Sequence, residues 1–228
     1  MDDDTPVVLA RADGPHGETV LRRRGEVTEL VVDGVFAMDS AQTSTEAALA
    51  GLALDRLTGR EPARLRVCVG GLGLGVTARA LLDDPRVARV EVVELDAALD
   101  GWARDGLVPG AQGLAADPRV RLHVGDVADV VPAFAPQSLD AVLLDVDNGP
   151  GFLVHGTNAG LYDAPFLAAA ARTLAAGGVL AVWSADPSPG LLARLTDVCG
   201  ACEEVRLPVR RGRHRFEYAI YLAPAPPP

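Results

Sequence analysis

Residues 64–96 leave this chain little freedom of fold: RLRVCVGGLGLGVTARALLDDPRVARVEVVELD. The run 65–69 is short and mostly apolar, as a parallel strand buried on both faces should be. Gly70, Gly71, Gly73 and Gly75 then break it, and residues 76–82 carry a helical pattern. Without a Cβ, backbone N–H groups can approach a ligand closely, and the turn sits where a helix N-terminus favours negative charge. A second strand over 90–93 ends at Glu94. An acid about 20 residues beyond such glycines, at the carboxyl end of the next strand, is placed to take two ribose hydroxyls. The stretch therefore predicts a nucleoside site. Gly73-x-Gly75-x-x-Ala78 also meets the dinucleotide fingerprint, so an oxidoreductase stays open at this point.

The surrounding pattern extends the fold. Strands are predicted at 120–124, 139–144, 179–183, 203–207 and 216–222, and helices at 97–104, 126–132, 164–174 and 191–198. Alternation of this kind predicts an α/β, doubly wound Rossmann-like sheet, mostly parallel. The closing strand–turn–strand has no helix between its members and predicts an antiparallel C-terminal strand at the sheet edge. Before the core, residues 19–21, 26–32 and 35–38 read as a small β-extension, followed by a helix over 45–57 with Glu46 in its first turn for the dipole. Residues 1–60 are thus the extension, 61–223 the binding domain, and 224–228 a disordered proline-rich tail.

Composition narrows the function. The net charge is −10 and all 21 basic residues are arginine, which disfavours a nucleic-acid partner and suits a cationic substrate. Three cysteines, one of them Cys68 inside the first core strand, make no disulfide framework. The start MDDDTP lacks the basic and apolar parts of a leader, so a cytoplasmic location is expected. No apolar run reaches the roughly 18 residues that span a bilayer, so no membrane partner is expected. Cys199-Gly-Ala-Cys202 falls at a helix end with no second cysteine pair, and no metal site is expected. His155 and the basic run 210–215 read as solvated loop residues, Trp102 as helix packing, and Trp183 as core, with a place at the pocket edge as its alternative.

In order along the chain, Gly70 to Gly75, Glu94-Leu95-Asp96, Gly125-Asp126 and Leu143-Leu144-Asp145 resemble the class I S-adenosylmethionine-dependent methyltransferase fold. More narrowly, with the lead-in 30–35, His123-Val124-Gly125-Asp126 and Tyr162, the chain resembles the spermidine synthase (polyamine aminopropyltransferase) family. The resemblance implies a donor site for S-adenosylmethionine, its decarboxylated form or methylthioadenosine. Gly70, Gly71, Gly73 and Gly75 would lie against the donor, Glu94 and Leu95 at the ribose, and Asp126 and Val127 at the adenine. Gln42 lies near the family's glutamine and joins this set. Asp145 matches the catalytic aspartate, with Asp147 and Tyr162 lining the acceptor pocket. A homodimer acting on a small-molecule acceptor, an amine among the options, is also implied.

Some positions depart from the family pattern. The aspartate usual in the glycine loop is Gly73, the Tyr-Gln pair falls on about Ser44 and Thr45, and the Asp-Ser-Ser-Asp-Pro loop is replaced by residues 145–149. An ammonium without its carboxylate is costly in a closed site. The leading expectation is therefore methyl or other alkyl transfer from intact S-adenosylmethionine to a small nucleophile. Aminopropyl transfer to a diamine is the alternative, and a non-catalytic S-adenosylmethionine-binding scaffold is a third.

Overall fold

The computed structural model describes residues 5–15, 17–59, 64–146, 149–151, 153, 156–211 and 214–226, with backbone alone for 156, 157, 211 and 214. Asp147 and His155 lie outside the described residues.

Two sheets carry the chain. The first is an antiparallel meander of β1 (Val7–Gly14), β2 (Gly17–Arg24), β3 (Val27–Val32) and β4 (Val35–Asp39). β1 was not expected. It is an edge strand with an exposed or half-exposed side chain at every position, so it leaves no alternating apolar signal to read. Helix α1 (Ser44–Arg56) follows.

The second sheet holds β5 (Leu65–Gly70), β6 (Val87–Glu94), β7 (Val120–Val124), β8 (Leu139–Leu144), β9 (Leu174–Ser184), β10 (Glu203–Arg211) and β11 (His214–Pro224), in the order β10-β11-β9-β8-β5-β6-β7. The pairs β5–β6, β6–β7, β5–β8 and β8–β9 are parallel, whereas β11 runs antiparallel to both β9 and β10. The antiparallel strand therefore lies one place in from the edge, and β10 takes the edge itself.

Period-two alternation makes this sheet double-sided. Leu65, Val67 and Val69 of β5, with Ala141 and Leu143 of β8, face one core shared with α1, α2 (Val76–Leu82) and α3 (Ala97–Arg104). Cys68, Val142 and Leu144 face the other, shared with α4 (Val127–Ala133), α5 (Ala164–Arg172) and α6 (Pro189–Cys199). From β5 the chain runs outward through β6 and β7, then returns to β5's other side as β8. The crevice at that reversal is where an open α/β sheet binds ligands.

The repeated tetrapeptides 84–87 and 117–120 act as identical fasteners. Arg86 pairs with Asp84 and donates to the Leu54 and Leu57 carbonyls at the end of α1. Arg119 pairs with Asp117 and donates to the Leu82 carbonyl at the end of α2.

Three boundaries moved. α5 stops at Arg172 because Thr173 turns its hydroxyl back onto the Ala170 carbonyl and gives its own carbonyl to the Ser138 and Leu139 amides. Gly177 and Gly178 consequently sit within β9 rather than ending a helix. Pro224, expected in the tail, pairs with Val179, and the Ala225 amide reaches the Gly178 carbonyl.

Candidate active site

A cleft of about 430 Å³ opens at the reversal point. Its floor is the glycine loop and the ends of β6 and β8. Its roof is the N-terminal sheet, through Asp13, Gly14 and Pro15 at the β1–β2 turn, Leu30 and Val32 of β3, and Ala37 and Met38 of β4.

The glycine loop is set by close approach. The Gly71 amide bonds the Val93 carbonyl and the Asp145 amide bonds the Gly70 carbonyl, so both strand ends are tied at the loop. Gly71 has φ +90°, and a Cβ there would lie 2.3 Å from the Asp145 carbonyl oxygen. At Gly73, φ is +50° and a Cβ would come within 2.7 Å of the Met38 sulfur, which also receives the Leu74 amide at 3.2 Å. Gly70 backs onto Val127, and Gly75 caps α2 against the backbone of Ala111. Gly71 and Gly73 line the cleft; Gly70 and Gly75 shape the loop from behind.

Glu94 is buried in the cleft wall. One carboxylate oxygen accepts from the Leu72 amide at 2.8 Å and the other from the Asp96 amide at 2.9 Å. Burial pushes its proton affinity up, and the backbone amides of Asp96 and Leu72 pull it down in part. Each oxygen keeps a lone pair for a further donor. Leu95, Asp96, Asp126 and Val127 also line the cleft. Asp96 and Asp126 double as N-caps of α3 and α4, accepting from the Ala98 and Ala128 amides at 2.8 and 2.7 Å.

Asp145 follows the last residue of β8 and turns into the cleft. Its carboxylate accepts from the Thr77 hydroxyl at 2.5 Å. Burial, and then the negative charge of Glu46, raise its pKa from 3.8 to about 7 against the pull of Thr77. A carboxylate with that affinity is matched to taking a proton near neutral pH.

Glu46 is a cleft acid that the sequence did not single out: it was expected only in the first turn of the helix, complementing the dipole. It is buried, lines the cleft, and accepts from the Thr45 hydroxyl at 2.7 Å. The Thr77 hydroxyl also approaches the Glu46 carbonyl at 3.4 Å, tying α1 to the helix after the glycine loop. No local signal separates a dipole-facing glutamate from a cleft-facing one; the packing of α1 on α2 decides it.

Two expected site residues stand elsewhere. Gln42 is absent from the cleft wall and donates its side-chain amide to the Ser44 hydroxyl at 2.8 Å. Tyr162 is fully buried in the opposite core, behind the wall, and its hydroxyl donates to the Val146 carbonyl at 2.8 Å. It braces the segment after Asp145 instead of facing a ligand. Trp183 is buried, packs edge-on against Tyr218 at 5.1 Å and also lines the cleft, so the core reading and its alternative describe the same side chain. Cys199 and Cys202 have thiols pushed by burial to about 11 and about 12, which makes them poor nucleophiles and ligands.

The electrostatics are one-sided. Among the described residues the cleft is lined by six carboxylates (Asp13, Glu46, Glu94, Asp96, Asp126 and Asp145) and by no lysine, arginine or histidine.

No family model matches the sequence. The chain is similar to the polyamine aminopropyltransferase of Mycobacterium tuberculosis (strain ATCC 25618 / H37Rv), 32% identical over 184 residues, covering 79% of this chain and 33% of that protein. It is also similar to putrescine N-methyltransferase 2 of Nicotiana tabacum, 31% identical over 124 residues, covering 54% of this chain and 33% of that protein. The chain thus spans about a third of the length of these relatives. Among solved structures, a spermidine synthase in complex with the transition-state analogue AdoDATO shares the fold, with a TM-score of 0.82 at 18% identity over 96% of this chain and 74% of that one.

Proposed function

The chain belongs among the spermidine synthase-like proteins, with their methyltransferase-like fold, and from that premise we propose that it transfers the aminopropyl group of decarboxylated S-adenosylmethionine to a small amine. The observation that carries this reading is that the described residues wall the cleft with six carboxylates and no basic side chain. Decarboxylated donor and amine acceptor are both cations, and such a wall attracts both. An intact methionine carboxylate would find no cationic partner among the described lining residues. The relatives named for aminopropyl transfer match 79% and 64% of this chain, against 54% for the one named for methyl transfer, which favours aminopropyl over methyl transfer.

In this reading the ribose hydroxyls donate to the remaining lone pairs of Glu94, and Asp126 faces the adenine. Asp145 takes a proton from the acceptor's ammonium, and the nitrogen lone pair so freed attacks the aminopropyl carbon bonded to sulfur. A C–N bond forms, the C–S bond breaks with its electron pair going to sulfur, neutral methylthioadenosine leaves, and the positive charge of the sulfonium passes to the new ammonium. The sulfonium is already activated, so the protein's main contribution is in-line placement, worth up to about 7–11 kcal/mol, with proton removal adding roughly 10²–10⁴-fold.

The test supplies decarboxylated S-adenosylmethionine and putrescine and follows methylthioadenosine release. Turnover is expected with the decarboxylated donor and not with the intact one. Methylated putrescine from the intact donor would overturn this in favour of N-methyl transfer. That second reading is favoured by Gly73, where an acid is missing from the loop, and by the Nicotiana relative. Asp145→Asn is expected to lower turnover by about 10²–10⁴-fold.

A further inference from the structure

We propose that Glu46 holds the primary ammonium of the donor's aminopropyl arm against Asp145, supplying from α1 the carboxylate that the glycine loop lacks. The inference rests on the aminopropyl-transfer reading of the cleft and names the residue that would make it selective.

The glycine loop carries no acid of its own at position 73: there φ is +50° and a Cβ would meet the Met38 sulfur of β4 at 2.7 Å, so a longer side chain would have to displace that methionine. Three of the cleft's carboxylates have fixed backbone duties: Glu94 braces Leu72 and Asp96, and Asp96 and Asp126 cap helices. Asp13 belongs to the hairpin in the roof. Glu46 and Asp145 each accept from a threonine hydroxyl, Thr45 and Thr77 respectively, and Thr77 touches both residues, through the Glu46 carbonyl and the Asp145 carboxylate.

Thr77 is the second residue of α2, directly after the glycine loop. The Asp145 carboxylate is thereby tied to the Glu46 backbone at the loop end of the cleft, and both residues line the cleft there. Glu46 is only 8% exposed, and its charge raises the proton affinity of Asp145. Two like charges in such a place repel, and a cation between them relieves the repulsion and supplies N–H donors to both. A primary ammonium does this with three N–H groups. A carboxylate brought there by the intact donor would add a third negative charge.

The test is binding to wild type and Glu46→Gln, using two probes that both carry the adenosyl sulfonium. One is decarboxylated S-adenosylmethionine. The other is S-methylated methylthioadenosine, which keeps the sulfonium and has no ammonium. Wild type is expected to prefer the first by roughly 10- to 100-fold, the range of a charge-assisted hydrogen bond. Glu46→Gln should lose most of that preference while its affinity for the second probe stays within about threefold. Equal weakening of both probes, or an unchanged preference, overturns the role of Glu46 and leaves the transfer reading standing. Failure of wild type to bind either probe overturns the transfer reading itself. A co-crystal of wild type with the decarboxylated donor decides the matter without a variant: an ammonium seated away from the Glu46 carboxylate refutes the assignment.

Discussion

Asp145→Asn removes a charge from the cleft while keeping the side chain's shape. In the ligand-free protein the carboxyl is raised from 3.8 to about 7, by burial first and by Glu46 second. The unfolded chain releases this proton near 3.8, so between the two values the native state holds a proton that the unfolded state has lost. Wild-type stability therefore falls as pH rises through that window, and the loss is complete above about pH 7. Three units correspond to about 4 kcal/mol. Asp145 keeps some surface open to the cleft, and water there screens the charge, so about 2 kcal/mol is the working expectation. Asparagine has no charge to bury and can still accept from Thr77. At pH 4 the variant should match wild type; at pH 8 it should be more stable by about 2 kcal/mol, or about 4–8 °C in Tm for a chain of this size. Ligand-free thermal melts of both proteins across pH 4–8 measure the gap. Parallel curves, or a gap that widens toward acid, would falsify the buried-charge account of Asp145.

Glu46→Gln should make the wild-type decline in stability between pH 4 and 8 shallower, because one of the two influences that raise Asp145 is gone; an unchanged slope in the same melts counts against their coupling. Gly71→Ala should cost about 2–4 kcal/mol in urea unfolding, since its backbone is left-handed and the new Cβ meets the Asp145 carbonyl; a retained midpoint would show that the loop can shift. Tyr162→Phe leaves the Val146 carbonyl without its donor and should lose about 1–3 kcal/mol, with a fall in kcat larger than any change in donor KM. Arg86→Ala removes bonds to the Leu54 and Leu57 carbonyls and should lose about 1–3 kcal/mol with donor affinity unchanged.

The core of the fold was legible in the sequence because each element there is local and periodic. The helices α2 and α3 and the strands β7 and β8 fall on the residues the pattern predicted, since β8 carries the short apolar run of a strand buried on both faces and β7 keeps an apolar–polar alternation although it lies at the sheet edge. The glycines and the acids that follow β6 and β8 were legible for the same reason: strand, turn and helix lie consecutively. β1 was not, because an exposed edge strand has no apolar face to mark it. What tertiary structure alone decided is which side chains meet across elements distant in sequence. Gln42 and Tyr162 were expected in the site from the family resemblance, yet one turns to Ser44 and the other supports the wall from behind. Glu46 looked like an ordinary first-turn acid until α1 packed on α2 and Thr77 joined it to Asp145, 99 residues away by number. Periodicity fixes which face of an element is buried; only the packing of one element on another fixes which charge shares the cleft with it.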